Sequence, residues 1–99
     1  MEPRIQYATT KDGVSIAFWT MGEGPPLVLM PPAPYFGSLV GWRNPRTRHY
    51  FELLATNRMT VRFDQRGFGD SDRGATDFSL EARMLDLEGV VDSLSLRQF

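Results

Sequence analysis

The chain contains no cysteine and a single histidine. Without thiols it cannot form disulfide bonds or thiolate metal sites, and a lack of cysteine is compatible with the cytosol. One histidine cannot complete a zinc site unless several carboxylates join it. The sequence therefore predicts neither a metal nor another cofactor, and a cytoplasmic location is expected.

Extremes of charge and hydrophobicity are also missing. The formal net charge is −1, so no overall field draws the chain to nucleic acid or to anionic lipid. No apolar run approaches the length of a membrane span, and the N-terminus does not resemble a signal peptide. Hydrophobic residues make up 41% of the chain, enough for the core of one small domain. We expect no nucleic-acid partner and no membrane partner.

Basic and acidic residues nevertheless fall in separate segments. Residues 43–66 are rich in arginine, whereas residues 70–92 are rich in aspartate and glutamate. A nucleic-acid reader could use the first segment, but the second offers carboxylates that would compete for it. We expect the two segments to neutralise each other in part across neighbouring helices.

Two short alternating segments open the chain, at residues 5–9 and 14–19. Asp12-Gly13 lies between them, and glycine accepts the positive φ of a tight turn at low cost. Trp19 is predicted to face away from the other apolar residues of the second segment. Those residues are Val14, Ile16 and Phe18. The pattern predicts an antiparallel hairpin.

Residues 27–30 form an unbroken apolar run, which is typical of a central strand covered on both faces. A helix is predicted from about Arg46 to about Asn57, with apolar positions that include Tyr50, Leu53 and Leu54. A further strand follows at residues 60–63. Because strand, helix and strand follow one another, these two strands should pair in parallel through a right-handed crossover.

A second helix is predicted to begin at Ser79, which is a suitable N-cap with Glu81 in the first turn. Its apolar residues recur at helical spacing and should pack on the sheet as one stripe. Gly89 interrupts this stripe and suggests close packing. The stripe consists of Leu80, Met84, Leu87, Val91 and Leu94.

The most specific motif is Asp-Gln-Arg-Gly-Phe-Gly-Asp-Ser-Asp at residues 64–72. Together with the order of the predicted elements, it resembles the N-terminal portion of the α/β-hydrolase fold. The resemblance implies an α/β architecture: a mixed sheet of about four strands, with an antiparallel hairpin and then a parallel pair, and two main helices. The motif is also similar to the hydrolase-like segment that some bacterial proteins carry ahead of a nucleotide-cyclase or DNA-binding module.

The resemblance implies that the motif is scaffolding rather than a catalyst. Its glycines permit tight turns, its acidic and arginine side chains hold the loop by charge-assisted hydrogen bonds, and its last residues satisfy backbone donors. The residues assigned to this structural motif are Asp64, Arg66, Gly67, Gly69, Ser71 and Asp72.

Enzymes of this family carry a nucleophile on a Gly-x-Ser-x-Gly elbow, followed by an acid and a histidine. The sequence has no such elbow, so residues 1–99 are expected to form a single incomplete domain that ends before it. Ser71 follows Gly69 at the right spacing, but Arg73 replaces the second glycine. His49 lies among arginines and has no evident serine or acid partner. No catalytic residue is therefore assigned.

The loop after Met30 is where the family's enzymes often begin with His-Gly, and where a following N–H supplies half of the oxyanion hole. Pro31 and Pro32 occupy this place and have no N–H to donate. The resemblance implies one of two roles for this loop. It is an oxyanion loop formed by Ala33, Pro34 and Tyr35, or it is a structural spacer.

Two functions follow as expectations. The chain is the N-terminal part of a hydrolase that acts on an ester, an amide or a carbon–halogen bond, and is inactive alone. Alternatively, it is a non-catalytic segment that senses a small ligand or a partner within a larger signalling protein. Under either function, an unpaired sheet edge predicts self-association or a missing C-terminal partner segment.

Overall fold

The computed structural model describes residues 4–30 and 43–99. These residues form one four-stranded sheet with the strand order β1-β2-β4-β3, together with two helices. The elements are β1 (Gln6–Thr9), β2 (Ser15–Met21), β3 (Pro26–Leu29), α1 (Pro45–Leu54), β4 (Met59–Phe63) and α2 (Leu80–Ser93).

Strands β1 and β2 form the predicted antiparallel hairpin. Thr10 N donates to Val14 O over 2.9 Å, and Gly13 has a φ of 83° at the turn. The Thr10 hydroxyl accepts from Val14 N over 2.9 Å and donates to the Asp12 carboxylate. The turn is thus held by its own polar side chains as well as by its glycine.

Strands β3 and β4 form the predicted parallel pair, and β4 also pairs with β2 in antiparallel fashion. Residues 27–30 were predicted to form a central strand covered on both faces. Val28 and Leu29 do pack against the clusters on opposite faces, but the strand lies at the edge of the described sheet. Because β4 lies between β2 and β3, strand β3 has one hydrogen-bonded neighbour among the described residues and is half-buried along its length.

The sheet has a hydrophobic cluster on each face. Phe18, Val61 and Phe63 pack with Val90 of α2 on one face. Trp19 packs with Phe51 of α1 on the other face, with the ring centroids 5.3 Å apart. This confirms the predicted division of β2 into two faces.

Helix α1 begins as predicted, because the Asn44 side chain accepts from Arg46 N over 3.0 Å and Pro45 occupies the first turn. It ends at Leu54, three residues before the predicted end at Asn57. Phe51 is its buried residue, whereas Tyr50 and Leu53 are exposed. The edge-to-face contact of Phe51 with Trp19 determines which side of α1 faces the sheet.

Helix α2 begins at the predicted cap, where the Ser79 hydroxyl accepts from Ala82 N over 3.2 Å. The predicted apolar stripe is wrong in its first half, because Leu80 is 70% exposed and Met84 is 43% exposed. The face against the sheet is turned toward Asp86 instead, which binds Arg66. The buried residues of α2 are Ala82, Asp86, Val90 and Val91.

The helices that carry parts of the two charged segments, α1 and α2, are not neighbours in the described structure. Because α1 and α2 pack on opposite faces of the sheet, their charged surfaces point in different directions. One contact between the segments lies inside the fold, where Arg66 pairs with Asp86 over 2.9 Å. This pair joins the loop after β4 to α2, whereas the expectation placed the contact between neighbouring helices.

Candidate functional site

The loop that follows β4, residues 64–72, is closed by the Asp64 carboxylate. Asp64 is fully buried, and its Oδ2 accepts from Asp70 N over 2.9 Å. Its backbone N donates to Ala17 O over 2.9 Å, which continues the β2–β4 ladder into the loop. Asp64 therefore joins the end of the sheet to the far end of the loop.

Ser71 lies inside this loop and is 3% exposed. Its hydroxyl donates to Asp64 O and accepts from Ala17 N, the latter over 2.9 Å. The hydroxyl proton is held by a backbone carbonyl, whereas a nucleophilic serine needs a base at that position. Ser71 is bonded here as a structural residue.

Asp72 completes the loop through its backbone and its side chain. Asp72 N donates to Ser15 O over 2.8 Å, and Asp72 O accepts from Gly67 N over 2.9 Å. Its carboxylate Oδ1 accepts from Gly74 N over 2.9 Å. These contacts satisfy backbone donors as the chain turns toward α2.

Gly67 and Gly69 have φ values of 82° and 53°, which side-chain-bearing residues rarely adopt. At Gly67 a Cβ atom would lie 2.6 Å from Cε1 of Phe78. The glycine therefore allows the Phe78 ring to lie directly against the backbone of the loop.

Arg66 is the centre of a charged network and is 1% exposed. Its Nε donates to Asp86 Oδ1 over 2.9 Å, and its backbone N donates to Asp86 Oδ2 over 3.0 Å. Its Nη1 and Nη2 donate to the two carboxylate oxygens of Asp12 over 2.7 and 3.1 Å. One guanidinium thus ties the hairpin turn, the loop and α2 together.

The hydrogen bond from Arg66 lowers the pKa of Asp12 to about 2, and the same bond raises the pKa of Arg66. Burial raises the pKa of Asp86, against the opposing effect of its bonds to Arg66. The partly exposed Asp12 is therefore the carboxylate whose charge Arg66 stabilises most clearly.

Sequence reasoning assigned Arg66 to the motif but missed its partners Asp12 and Asp86. A signal for Asp86 was present, because it is spaced four residues from both Ala82 and Val90, on one side of α2. An aspartate on the packed side of a helix indicates a buried partner.

The predicted oxyanion-loop residues Ala33, Pro34 and Tyr35 lie outside the described residues, as do Pro31 and Pro32. His49 is exposed on α1, and no hydrogen bond joins it to Ser71 within residues 4–30 and 43–99. The part of the chain that the structure describes also has no group of three histidine or acidic side chains arranged for a metal ion.

A pocket of about 330 Å³ lies between the loop and the start of α2. Phe68 and Phe78 supply its aromatic surface, and Gly67 lies beside them. Gln65 and Arg83 supply its polar surface, and Arg83 Nε donates to Gln65 Oε1 over 3.2 Å. Sequence reasoning did not find this pocket, because it depends on the contact of Phe78 with Gly67.

Comparison with solved structures identifies the architecture. An α/β hydrolase from Sphaerobacter thermophilus matches 95% of the chain at a TM-score of 0.76 and 30% identity. The chain has the α/β-hydrolase fold, of which it resembles the N-terminal portion. A hydrolase from Pseudomonas aeruginosa matches 95% of the chain at a TM-score of 0.79 and 24% identity. An epoxide hydrolase from Vigna radiata matches 96% of the chain at a TM-score of 0.76 and 21% identity.

This α/β-hydrolase-fold chain spans 34%, 34% and 29% of those three structures, respectively. No protein-family model and no curated protein matches it. Within residues 4–30 and 43–99, no helix has the length and hydropathy needed to cross a bilayer.

Proposed function

We propose that the chain provides the N-terminal scaffold of an α/β-fold hydrolase and has no hydrolytic activity by itself. The complete family hydrolyses esters, amides or carbon–halogen bonds, and one similar structure is named an epoxide hydrolase. The chain corresponds to about a third of such a protein. Its contribution is the sheet and the loop at residues 64–72.

The bonding of Ser71 carries this proposal. The serine is buried, its proton is held by Asp64 O, and its oxygen accepts from Ala17 N. Activation would require a base in place of that carbonyl, with an acid to orient the base. His49, which is the single histidine, is exposed on α1 and is not bonded to Ser71. These contacts support a structural role for Ser71 in the loop rather than a role as nucleophile.

A turnover assay tests the proposal. The purified 99-residue chain is mixed with p-nitrophenyl acetate and, separately, with styrene oxide, and product is followed against substrate concentration. We expect rates equal to those of buffer with an unrelated protein of the same concentration, because residues 4–30 and 43–99 hold no activated nucleophile.

Two variants provide controls for this assay. His49→Ala removes the one imidazole at an exposed position, and Ser71→Ala removes the buried hydroxyl. We expect neither variant to change the background rate. Saturable turnover that rises with chain concentration and is abolished by Ser71→Ala, but not by an equally destabilising variant elsewhere, would contradict the proposal.

A second candidate function is a non-catalytic segment that senses a small ligand in a larger signalling protein. The sequence favours it because Pro31-Pro32 stands where the family's enzymes often have His-Gly, and proline cannot donate an N–H. The coding sequence that follows codon 99 discriminates. A nucleophile elbow with a later histidine supports the hydrolase, whereas a cyclase or DNA-binding module supports the sensor.

A further inference from the structure

We propose that the pocket between the loop and α2 binds a small carboxylic acid whose body is aromatic or apolar. The pocket is lined by Gln65, Gly67, Phe68, Phe78 and Arg83. Its volume of about 330 Å³ lies at the lower end of the range for small-molecule sites. Binding is measured without turnover, so this inference stands or falls independently of the scaffold function.

The walls of the pocket select an apolar, flat ligand body. Phe68 and Phe78 are both aromatic, and Phe78 is 51% exposed even though it is held against the loop. Gly67 permits this position of the ring, because a Cβ there would lie 2.6 Å from Cε1 of Phe78. A ring placed between two phenyl side chains gains apolar contact and favourable edge or offset stacking.

The polar groups of the pocket favour a negatively charged ligand. Gln65 is 7% exposed, and its Oε1 is already occupied as the acceptor for Arg83 Nε. This contact leaves the Gln65 amide nitrogen and the Arg83 Nη groups without a partner in residues 4–30 and 43–99. All of these groups are donors, and none of the described lining residues carries a carboxylate.

Geometry favours a carboxylate over a single acceptor atom. A guanidinium presents its donors in a planar fork that matches the two oxygens of a carboxylate. The bond to Gln65 fixes the direction of this fork, and so reduces the loss of side-chain freedom on binding. The amide donor of Gln65 beside it can contribute a further bond to the same group.

Titration of the ¹⁵N-labelled 99-residue chain with benzoate and with benzyl alcohol tests the proposal. The two probes have similar rings but differ in charge. We expect benzoate to shift the amide signals of Gly67, Phe68 and Arg83 in a saturable manner. We expect benzyl alcohol to bind about tenfold more weakly or worse, because it cannot accept the bidentate bond.

Matched variants locate the site. Arg83→Gln keeps a polar side chain at an exposed position, and should weaken benzoate binding about tenfold while leaving benzyl alcohol binding unchanged. Arg97→Gln removes an exposed arginine outside the pocket, and should change neither. Phe78→Ala should weaken both probes. Equal affinities for the two probes, no saturable shift, shifts elsewhere in the chain, or unchanged benzoate binding by Arg83→Gln would each overturn the proposal.

Discussion

Arg66 holds together three segments that are far apart in sequence. It is almost completely buried and bonds to Asp86 on α2 and to Asp12 in the hairpin turn. A buried charge that loses its partner leaves the remaining charge uncompensated in a medium of low polarity. The ion pair of Arg66 and Asp86 therefore contributes to the stability of the fold only when both residues are present.

Replacing Arg66 with Met should lower the free energy of unfolding by about 3–5 kcal/mol, because Asp86 is left buried without its partner. A small domain has about 5–15 kcal/mol in total, so the variant should be close to unfolding. Urea denaturation measures the change. The control is Arg73→Met, whose exposed guanidinium donates to Gly69 O, with an expected loss of about 1 kcal/mol or less.

The double variant Arg66→Met/Asp86→Leu provides a second check. Because both buried charges are gone, it should recover part of the stability lost by Arg66→Met. Equal losses for Arg66→Met and Arg73→Met would show that the buried network contributes nothing particular.

Because of Asp12, the free energy of unfolding should fall at acidic pH. Arg66 holds the folded-state pKa of Asp12 at about 2, below its ordinary value of 3.8. A lowered folded-state pKa contributes stability above the unfolded-state pKa, and this contribution is lost as the pH falls from about 4 through about 2. Asp12→Asn lacks this contribution at every pH.

The difference in unfolding free energy between the native chain and Asp12→Asn removes most of the contribution of Asp77 and Asp86, which are present in both. The charge of Asp12 also raises the pKa of each of these two groups, and this smaller effect stays in the difference. We expect the difference to be constant at neutral pH and to shrink between pH 4 and pH 2. Denaturant unfolding at a series of pH values measures it. A difference that does not change with pH would contradict the assignment.

At the scale of the element, α2 lies close to the hairpin at Gly89. A Cβ at this position would lie 3.4 Å from Cγ2 of Thr10, which is the limit of ordinary contact. The space between α2 and Thr10 at position 89 therefore accommodates one methyl group but no larger side chain. The need for close approach limits the size of this residue without requiring glycine.

Gly89→Ala should leave stability unchanged or raise it by up to about 1 kcal/mol, because alanine favours the helix and still fits. Gly89→Leu should lower it by about 1–3 kcal/mol, because the larger side chain displaces α2 from Thr10. Asp92→Leu, at an exposed position of the same helix, controls for the size of the new side chain. Thermal unfolding measures all three, and a large loss from Gly89→Ala would contradict the packing described.

Local patterns predicted most of the elements. The turn at Asp12-Gly13, the cap at Ser79 and the crossover between β3 and β4 were all predicted, because each depends on residues close in sequence. The buried side of α2 was not predicted in full. It depends on Arg66, which lies 20 residues from Asp86. A prediction based on the apolar residues of a helix cannot identify an aspartate that is buried because it has a charged partner.

At the scale of the whole molecule, the sequence did not predict the order of the strands or the place where the two charged segments meet. Inserting β4 between β2 and β3 puts an apolar strand at one edge of the described sheet. Helices α1 and α2 lie on opposite faces of the sheet, and the basic and acidic segments meet inside the fold at Arg66 and Asp86. Both features follow from long-range pairing, which local periodicity does not encode.

The edge at β3 predicts self-association of the chain. Met59 N donates to Pro25 O, so the alternation of a parallel ladder directs the N–H and C=O of Val28 away from β4. The exposed edge is apolar and carries no charge that would oppose pairing with a second copy. Sedimentation should therefore show mass rising with concentration.

Val28→Pro should reduce this association, because proline cannot donate to an added strand and no bond to β4 is lost. Leu27→Pro is the matched control, since its N–H faces β4 and its loss should destabilise the fold instead. A native chain that sediments as a monomer at all concentrations would count against association through this edge.

The central claim is our proposal that the chain supplies the scaffold of an α/β-hydrolase fold and that Ser71, in the described loop, is not an activated nucleophile. The most direct measurement is labelling of the folded chain with a fluorophosphonate, followed by mass spectrometry of the intact protein and of its peptides. The account predicts no modification above that of a heat-unfolded control, because the Ser71 hydroxyl is buried and bonded to Asp64 O and Ala17 N. Stoichiometric modification at Ser71 in the folded chain would contradict it.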